Sequence, residues 1–280
     1  MTNKNNKIGS QFIYAVLVVL TAIFIFPIIL VLMNSFKSRL YVSTVPFALP
    51  SGNMFVGLEN YINGLTTSGF FMAFLRSVWV SIASVALIIV GTSMTAWFIV
   101  RVKTKLTKAL YYVFVFSMIV PFQMVMYTMT FMVTSLAFDN VVGIVLVYLG
   151  FGAGLSVFMF TGFVKSVPLE IEEAATIDGC NPLQTFFIVV FPMLKPTAIT
   201  VAILNAMWVW NDYLLPYLIL GSDHKTVPVA IQLAMQGAYG STDYGGFMAM
   251  LVVSIIPIII FYVCSQKYII RGVIAGAVKG

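Results

Sequence analysis

Six apolar runs lie between the charges of this 280-residue chain: about Phe12 to Met33, Val78 to Val100, Ala109 to Met132, Val141 to Val164, Thr197 to Leu220 and Phe247 to Ser265. A helix of roughly 20 apolar residues crosses the ~30 Å of bilayer hydrocarbon, and each run reaches that length. The runs are apolar on every face, whereas the strands of a membrane barrel alternate polar and apolar over roughly ten residues. Helices satisfy their own backbone N–H and C=O groups, as hydrocarbon demands. The sequence therefore predicts an all-α integral membrane protein with six transmembrane helices. Composition agrees, with 61% of residues hydrophobic and 9% charged, against about a quarter charged in soluble domains.

Lysine and arginine placement sets the orientation. Lys4 and Lys7 precede the first run, Arg101, Lys103, Lys105 and Lys108 follow the second without an acid, and Lys267, Arg271 and Lys279 follow the sixth. With six spans these residues share one side with Lys165 and Lys195, leaving only Lys37, Arg39, Arg76 and Lys225 for the other. Both termini are thus expected in the cytoplasm. The net charge of +6 would suggest nucleic acid in a soluble chain; topology accounts for it here, and no nucleic-acid partner is expected. The first run is too long for the core of a cleavable signal and no small-x-small site follows it, which predicts an uncleaved first helix.

No Gly/Ser linker, heptad run or longer repeat divides the chain, so residues 1–280 read as one transmembrane domain. Its outer loops are 34–74 and 221–246, and its notable inner loop is 165–196. In the first outer loop Pro46, Pro50, Gly52 and Gly57 mark turns and Leu58 to Tyr61 opens a short interfacial helix. In the second, Val227 to Met235 is apolar enough to pack on something. Cys180 and Cys264 offer no disulfide framework, and His224 is the sole histidine, so no metal site is expected. A Gly-x4-Gly-Lys-Ser/Thr phosphate loop, a Gly-x-Ser-x-Gly elbow and a His-Glu-x-x-His pair are all missing, which argues against a stand-alone enzyme.

The loop from Lys165 to Pro196 carries dense helix punctuation. Pro168 sits where a first helical turn accepts proline, and Glu170, Glu172 and Glu173 follow at the favourable end of the helix dipole. A helix from about Pro168 to Asp178 is predicted. Gly179 can take φ > 0 and end it, after which Asn181-Pro182 supplies an N-cap and first-turn proline for a second helix. Pro192 and Pro196 stop that helix and start the fifth span. Ala174 and Ala175 beside the acids give a small, flat face that allows close approach by another protein; a solvated amphipathic loop is the plainer reading. Two helices joined by glycine and continuous with membrane spans would transmit a push.

This loop resembles the hallmark motif of the inner-membrane permease subunits of binding-protein-dependent ABC importers: Glu-Ala-Ala, three residues, Gly, nine residues, Ile-x-Leu-Pro. Here it stands as Glu173-Ala174-Ala175, Thr176-Ile177-Asp178, Gly179 and, at the required distance, Val189-Val190-Phe191-Pro192. Within that family the chain is most similar to carbohydrate importers of the maltose type, and to the second of their two permeases. Gly57 to Tyr61, Val120-Pro121, Ile177-Asp178-Gly179, Trp210-Asn211-Asp212 and the ending Gly276 to Gly280 share in the resemblance, which covers nearly the whole chain. Arg76-Ser77 departs from the usual Asn-Ser.

The resemblance implies the MetI-like fold of type I ABC importer permeases in a bacterial plasma or inner membrane. It implies a second homologous permease, two cytoplasmic ATPase subunits that hold ATP and Mg, an extracytoplasmic solute-binding protein and a sugar substrate, with no cofactor on this chain. Glu172, Glu173, Ala174, Ala175, Asp178, Gly179 and Pro192 would form the ATPase-coupling element, with Glu173 facing the ATPase and Gly179 making the bend. The tail from Arg271 to Gly280 would lie at the same interface, and the segment from Gly221 to Gly246 would reach the binding protein.

Asp212 is the one charge inside a predicted span, and an ionisable residue there is costly and a functional candidate by default. With Trp210, Asn211 and Tyr213 it could stack on a sugar ring and bond hydroxyls; equally it could pair with Asn205 or a backbone group. Gln123 is a second substrate-path candidate. Gly143, Gly150, Gly152, Gly154 and Gly162 predict close packing of the fourth span. An ion-coupled secondary transporter would instead carry several membrane-embedded charges and paired broken helices. An importer permease for a non-sugar solute is the nearer alternative.

Overall fold

Residues 2–67, 69–236 and 243–277 are described by a computed structural model, the side chains of 2–9, 67, 236 and 269–277 excepted. In chain order the helices are α1 (Thr2–Asn34), α2 (Arg39–Thr44), α3 (Glu59–Thr67), α4 (Phe70–Arg101), α5 (Lys105–Ser117), α6 (Phe122–Ser135) and α7 (Gly143–Val164). There follow α8 (Leu169–Ile177), α9 (Pro182–Gln184), a π-helical stretch (Thr185–Val190), α10 (Phe191–Met193), α11 (Lys195–Asn211), α12 (Leu214–Leu220), α13 (Val227–Gln236) and α14 (Tyr244–Ala277). No strand forms among the described residues; Lys37 and Phe55 make an isolated bridge.

Among the described residues four helices are long and apolar enough to span a membrane alone: α1 from Ser10, α4, α7, and α14 as far as Tyr268. The predicted third and fifth spans are broken rather than continuous, and the described helices make up to six crossings when the bent pairs α5 with α6 and Pro182–Met193 with α11 each count as one. Between α5 and α6 the chain bends by 109°. Pro121, extended at φ −62° and ψ 137°, precedes α6. It has no N–H to continue the ladder of α5, and its ring clashes with a helical carbonyl four residues back. A proline kink is expected there, and the structure has a full break. In the fifth span α11 stops at Asn211, Asp212 is extended, and α12 starts two residues later. The cause is the Asp212 side chain, whose Oδ1 accepts from the N–H groups of Leu214 at 3.1 Å and Leu215 at 3.4 Å. Such local bonds compete with the helix ladder. Pro257, by contrast, stays within α14.

By contact the chain falls into two units, Met1–Phe71 with Ala230–Pro257, and Met72–Val229 with Ile258–Gly280. In the first unit the segment Gly57 to Tyr61 fastens the C-terminal end of α1. Gly57 takes φ +57°. The Asn60 amide donates to the carbonyls of Ser35 and Lys37, both at 2.8 Å, and the Tyr61 hydroxyl lies 2.6 Å from Ser35 Oγ. Lys37 is fully buried, and its ammonium donates to the carbonyls of Val45 at 2.9 Å and Pro46 at 3.1 Å. That burial pulls its pKa below the usual lysine value. The cation sits against carbonyls at the end of α2, where the helix dipole favours positive charge.

In the second unit α7 packs against α5, α11 and α12. Two apolar clusters form along it: Phe160 and Val164 join Ile88, Phe186, Leu194 and Val201, while Ile144 and Tyr148 join Val80, Val209 and Leu215. The glycines act unequally. A Cβ on Gly152 would meet Ile88 Cδ1 at 2.7 Å, and one on Gly154 would meet the Phe114 carbonyl at 2.9 Å, whereas Gly150 and Gly162 face open space. At the far end Arg76 donates to the Lys225 carbonyl at 3.4 Å and Ser77 Oγ accepts from Val227 N–H at 2.8 Å. Those two bonds give Arg76-Ser77 a role, holding the segment that leads into α13 onto α4.

Candidate functional site

The elbow between α7 and α11 is built by local chemistry. Pro168 stands one residue outside α8 as its N-cap, with Glu170 and Glu172 in the first turn. Gly179 ends the helix at φ +88°, a conformation that costs other residues roughly 1–2 kcal/mol. The N–H groups of Asp178, Gly179 and Cys180 then close back on the carbonyls of Ala174, Thr176 and Ala175. Asn181 and Gln184 form a reciprocal capping box, each side chain accepting from the other's N–H, at 2.9 and 2.8 Å. The second helix widens into the π-helical stretch before Pro192. A proline there offers no N–H to Ile188, and the wider turn accommodates its ring. The segment Pro182–Met193 then meets α11 at a bend of 78°.

Of the seven residues singled out in this loop, two turn inward. Glu172 and Ala175 are buried, while Glu173, Ala174, Asp178, Gly179 and Pro192 are exposed. Ile177 beside them is 86% exposed, a large apolar side chain on an otherwise acidic and small face.

Glu172 is held by the end of α4. Its Oε1 accepts from Arg101 Nε at 2.9 Å and Nη2 at 2.7 Å, and its Oε2 accepts from Trp97 Nε1 at 2.9 Å. Arg101 Nη2 also donates to the Val167 carbonyl at 2.9 Å. The pair is sheltered, with side-chain exposures of 19% for Arg101 and 8% for Glu172. Trp97 and Arg101 are four residues apart on one helix face, and the Trp97 ring lies 5.4 Å from that of Phe186 in the π-helical stretch. Both halves of the elbow are therefore tied to α4. Sequence reasoning assigned Arg101 only a topological charge and passed over Trp97. Their spacing at a span end opposite an acid-bearing loop was the available signal.

The substrate-path residues are not gathered on one open wall. Trp210 is buried, its ring edge-on to Phe74 at 5.8 Å. Asn211 is exposed and donates to its own helix at the Met207 carbonyl, 2.7 Å away. Tyr213 stacks on Tyr217 at 5.3 Å. Asp212, besides capping α12, accepts at Oδ2 from the buried Tyr148 hydroxyl at 3.1 Å. Asn205 bonds Ser156 and the Val201 carbonyl instead of Asp212. Gln123 is exposed on the first turn of α6. Among the described residues no group of three or more His, Cys, Asp or Glu side chains could share a cation.

These features define a multi-pass helical membrane protein in which a punctuated elbow, bare on one face, is locked to the spans on the other. The chain belongs to the family of binding-protein-dependent transport system inner membrane components, whose model matches residues 87–275. Members are transport permeases without catalytic chemistry of their own. The chain is 36% identical to the permease AmyC of a probable transport system for starch degradation products in Thermoanaerobacterium thermosulfurigenes, over 94% of both chains. It is 34% identical to the permease MsmG of a multiple sugar-binding transport system in Streptococcus mutans, over 99% of both. Its fold matches a bacterial ABC transporter involved in import of the acidic polysaccharide alginate, with a TM-score of 0.81 at 20% identity over 95% of this chain and 98% of that one. The fold is thus that of a type I ABC importer permease, MetI-like and six-span.

Proposed function

We infer that this chain is one of two permease subunits of an ATP-driven importer for carbohydrate, most naturally an oligosaccharide, and that residues 1–280 work as a single transmembrane domain. The observation that carries the reading is the elbow, a face of Glu173, Ala174, Ile177 and Asp178 bent at Gly179 and anchored by Arg101 and Trp97 to a membrane-spanning helix. Small and acidic groups around one bare isoleucine suit docking by another protein, and the buried clasp makes any displacement of α8 a displacement of α4. The docking partner is a cytoplasmic ATPase, present twice and holding ATP and Mg. A homologous permease and an extracytoplasmic binding protein complete the assembly.

In this reading both termini and the loop 165–196 lie in the cytoplasm, and the loops 34–74 and 221–246 lie outside. The outer segment meets the binding protein; its residues 237–242, and the tail residues 278–280 assigned to the ATPase interface, lie outside the described chain. Sugar as cargo is supported by the systems in which the relatives serve. The test is uptake of labelled oligosaccharide by proteoliposomes holding this chain and its partners. ATP-driven uptake that survives collapse of proton and sodium gradients is expected. Uptake without any ATPase subunit, or uptake abolished by ionophores, overturns the reading.

A further inference from the structure

A cavity of about 780 Å³ opens where the end of α4, the start of α5 and the end of α7 meet. Its wall carries Lys103, Lys105, Lys108, Lys165 and Arg101, with Tyr111, and no carboxylate. The charge of Arg101 is engaged by Glu172, and Lys165 Nζ stands 5.9 Å over the Tyr111 ring. Among the described residues no ion pair engages Lys103, Lys105 or Lys108. The inner wall includes Thr161, 2% exposed, whose hydroxyl has no hydrogen-bond partner.

Topology asks for positive charge near a span end, but it does not ask for a cavity, nor for cations at the positive end of a helix dipole. Lys105 and Lys108 occupy the first turn of α5, where no acid is present, and each is disfavoured there until an anion arrives. On the flank of the same helix Leu106, Val113 and Phe116 are all widely exposed, a surface that suits acyl chains. A zwitterionic headgroup would bring an ammonium to a wall with no acceptor charge. A headgroup carrying a phosphate and no amine meets the cations and hydroxyls of that wall, with Ile99, Val100 and Leu169 beside its apolar remainder.

We propose that this cavity binds the phosphate of an anionic phospholipid headgroup, with the acyl chains along α5. Arg101 and Leu169 belong to the same wall, so the bound headgroup sits against the root of the elbow. The site stands on the cavity itself; only the leaflet that supplies the lipid rests on the orientation proposed above.

The test is native mass spectrometry of the purified full-length chain, exchanged against phosphatidylglycerol, phosphatidylethanolamine or inorganic phosphate alone. The wild type is expected to retain phosphatidylglycerol over phosphatidylethanolamine and to keep it in millimolar phosphate. Lys105→Gln with Lys108→Gln lowers that retention about thirtyfold, Lys225→Gln leaves it unchanged, and Lys105→Arg with Lys108→Arg preserves it. The glutamine pair keeps Arg101 and Lys103 to hold topology, and its unfolding temperature reports whether the fold is intact. Equal retention of the two lipids, an unaffected glutamine pair, or displacement of lipid by free phosphate overturns the proposal.

Discussion

Replacing Glu172 by methionine removes both carboxylate acceptors of the clasp while keeping a side chain of similar length. Two Arg101 donors and the Trp97 N–H lose their partner. Breaking one side of a buried ion pair costs about 3–5 kcal/mol. Arg101 keeps the Val167 carbonyl and 19% exposure, which places this case at the lower end, about 3 kcal/mol. At 1.4 kcal/mol per decade, local release of α8 becomes roughly 100-fold more frequent. Amide hydrogen exchange reads such local opening directly, so exchange over Leu169–Ile177 should accelerate by about two decades while the apolar middle of α7 stays protected. The double variant Arg101→Met with Glu172→Met leaves no unpaired charge, and apolar replacement of a whole pair is often neutral; it should recover most of the protection. Wild-type exchange in the single variant, or no recovery in the double, refutes the idea that this pair holds the elbow.

Three further outcomes are expected. Gly179→Pro forces φ from +88° to about −65° and removes the N–H that closes α8; ATP hydrolysis should no longer drive uptake, or the ATPase should fail to copurify, and normal coupling would count against a mechanical elbow. Asp212→Ala removes the cap of α12 and the acceptor of Tyr148 and should lower stability in detergent by about 1–2 kcal/mol, with Asp212→Asn close to wild type because Oδ1 still caps; equal loss in both would show that charge, not capping, matters. Lys37 titrates below its ordinary 10.5 when folded, so the unfolded chain binds the proton more tightly. Stability is flat below the lowered value and rises as pH climbs from it towards 10.5. Thermal unfolding scanned over about pH 7–11 should show that slope in the wild type and lose it in Lys37→Met.

Span placement and elbow punctuation were legible because their causes are local. Run length marked the membrane helices, and Pro168, Gly179 and Asn181-Pro182 each act within a few residues of where they stand, which is why the first elbow helix came within a residue of its observed limits. Hydrophobicity is blind to breaks, so the fifth crossing reads as continuous although Asp212 interrupts it, and the third reads as kinked at Pro121 where the chain breaks outright. Side-chain direction was illegible for a different reason. Glu172 and Glu173 are neighbours of one type, and only the approach of Arg101 and Trp97, more than seventy positions upstream, turns one inward and leaves the other in solvent. Lys37 likewise looked like a loop cation; the turn at Pro46 was legible, but not that the Val45 and Pro46 carbonyls it presents would close on the Lys37 ammonium.

The corner between α5 and α6 carries one more implication. The thirteen residues of α5 climb about 20 Å from the basic rim, so the turn at Met118 to Pro121 falls well inside the oily layer. Peptide groups at helix termini want hydrogen-bond company, and fatty tails supply none. Ile119 is nonetheless 72% bare in the isolated polypeptide. The N–H groups of Met118 and Ile119 close on the carbonyls of Val115 and Phe116; any carbonyl of that corner left without such a partner needs moisture or a neighbouring protein rather than lipid.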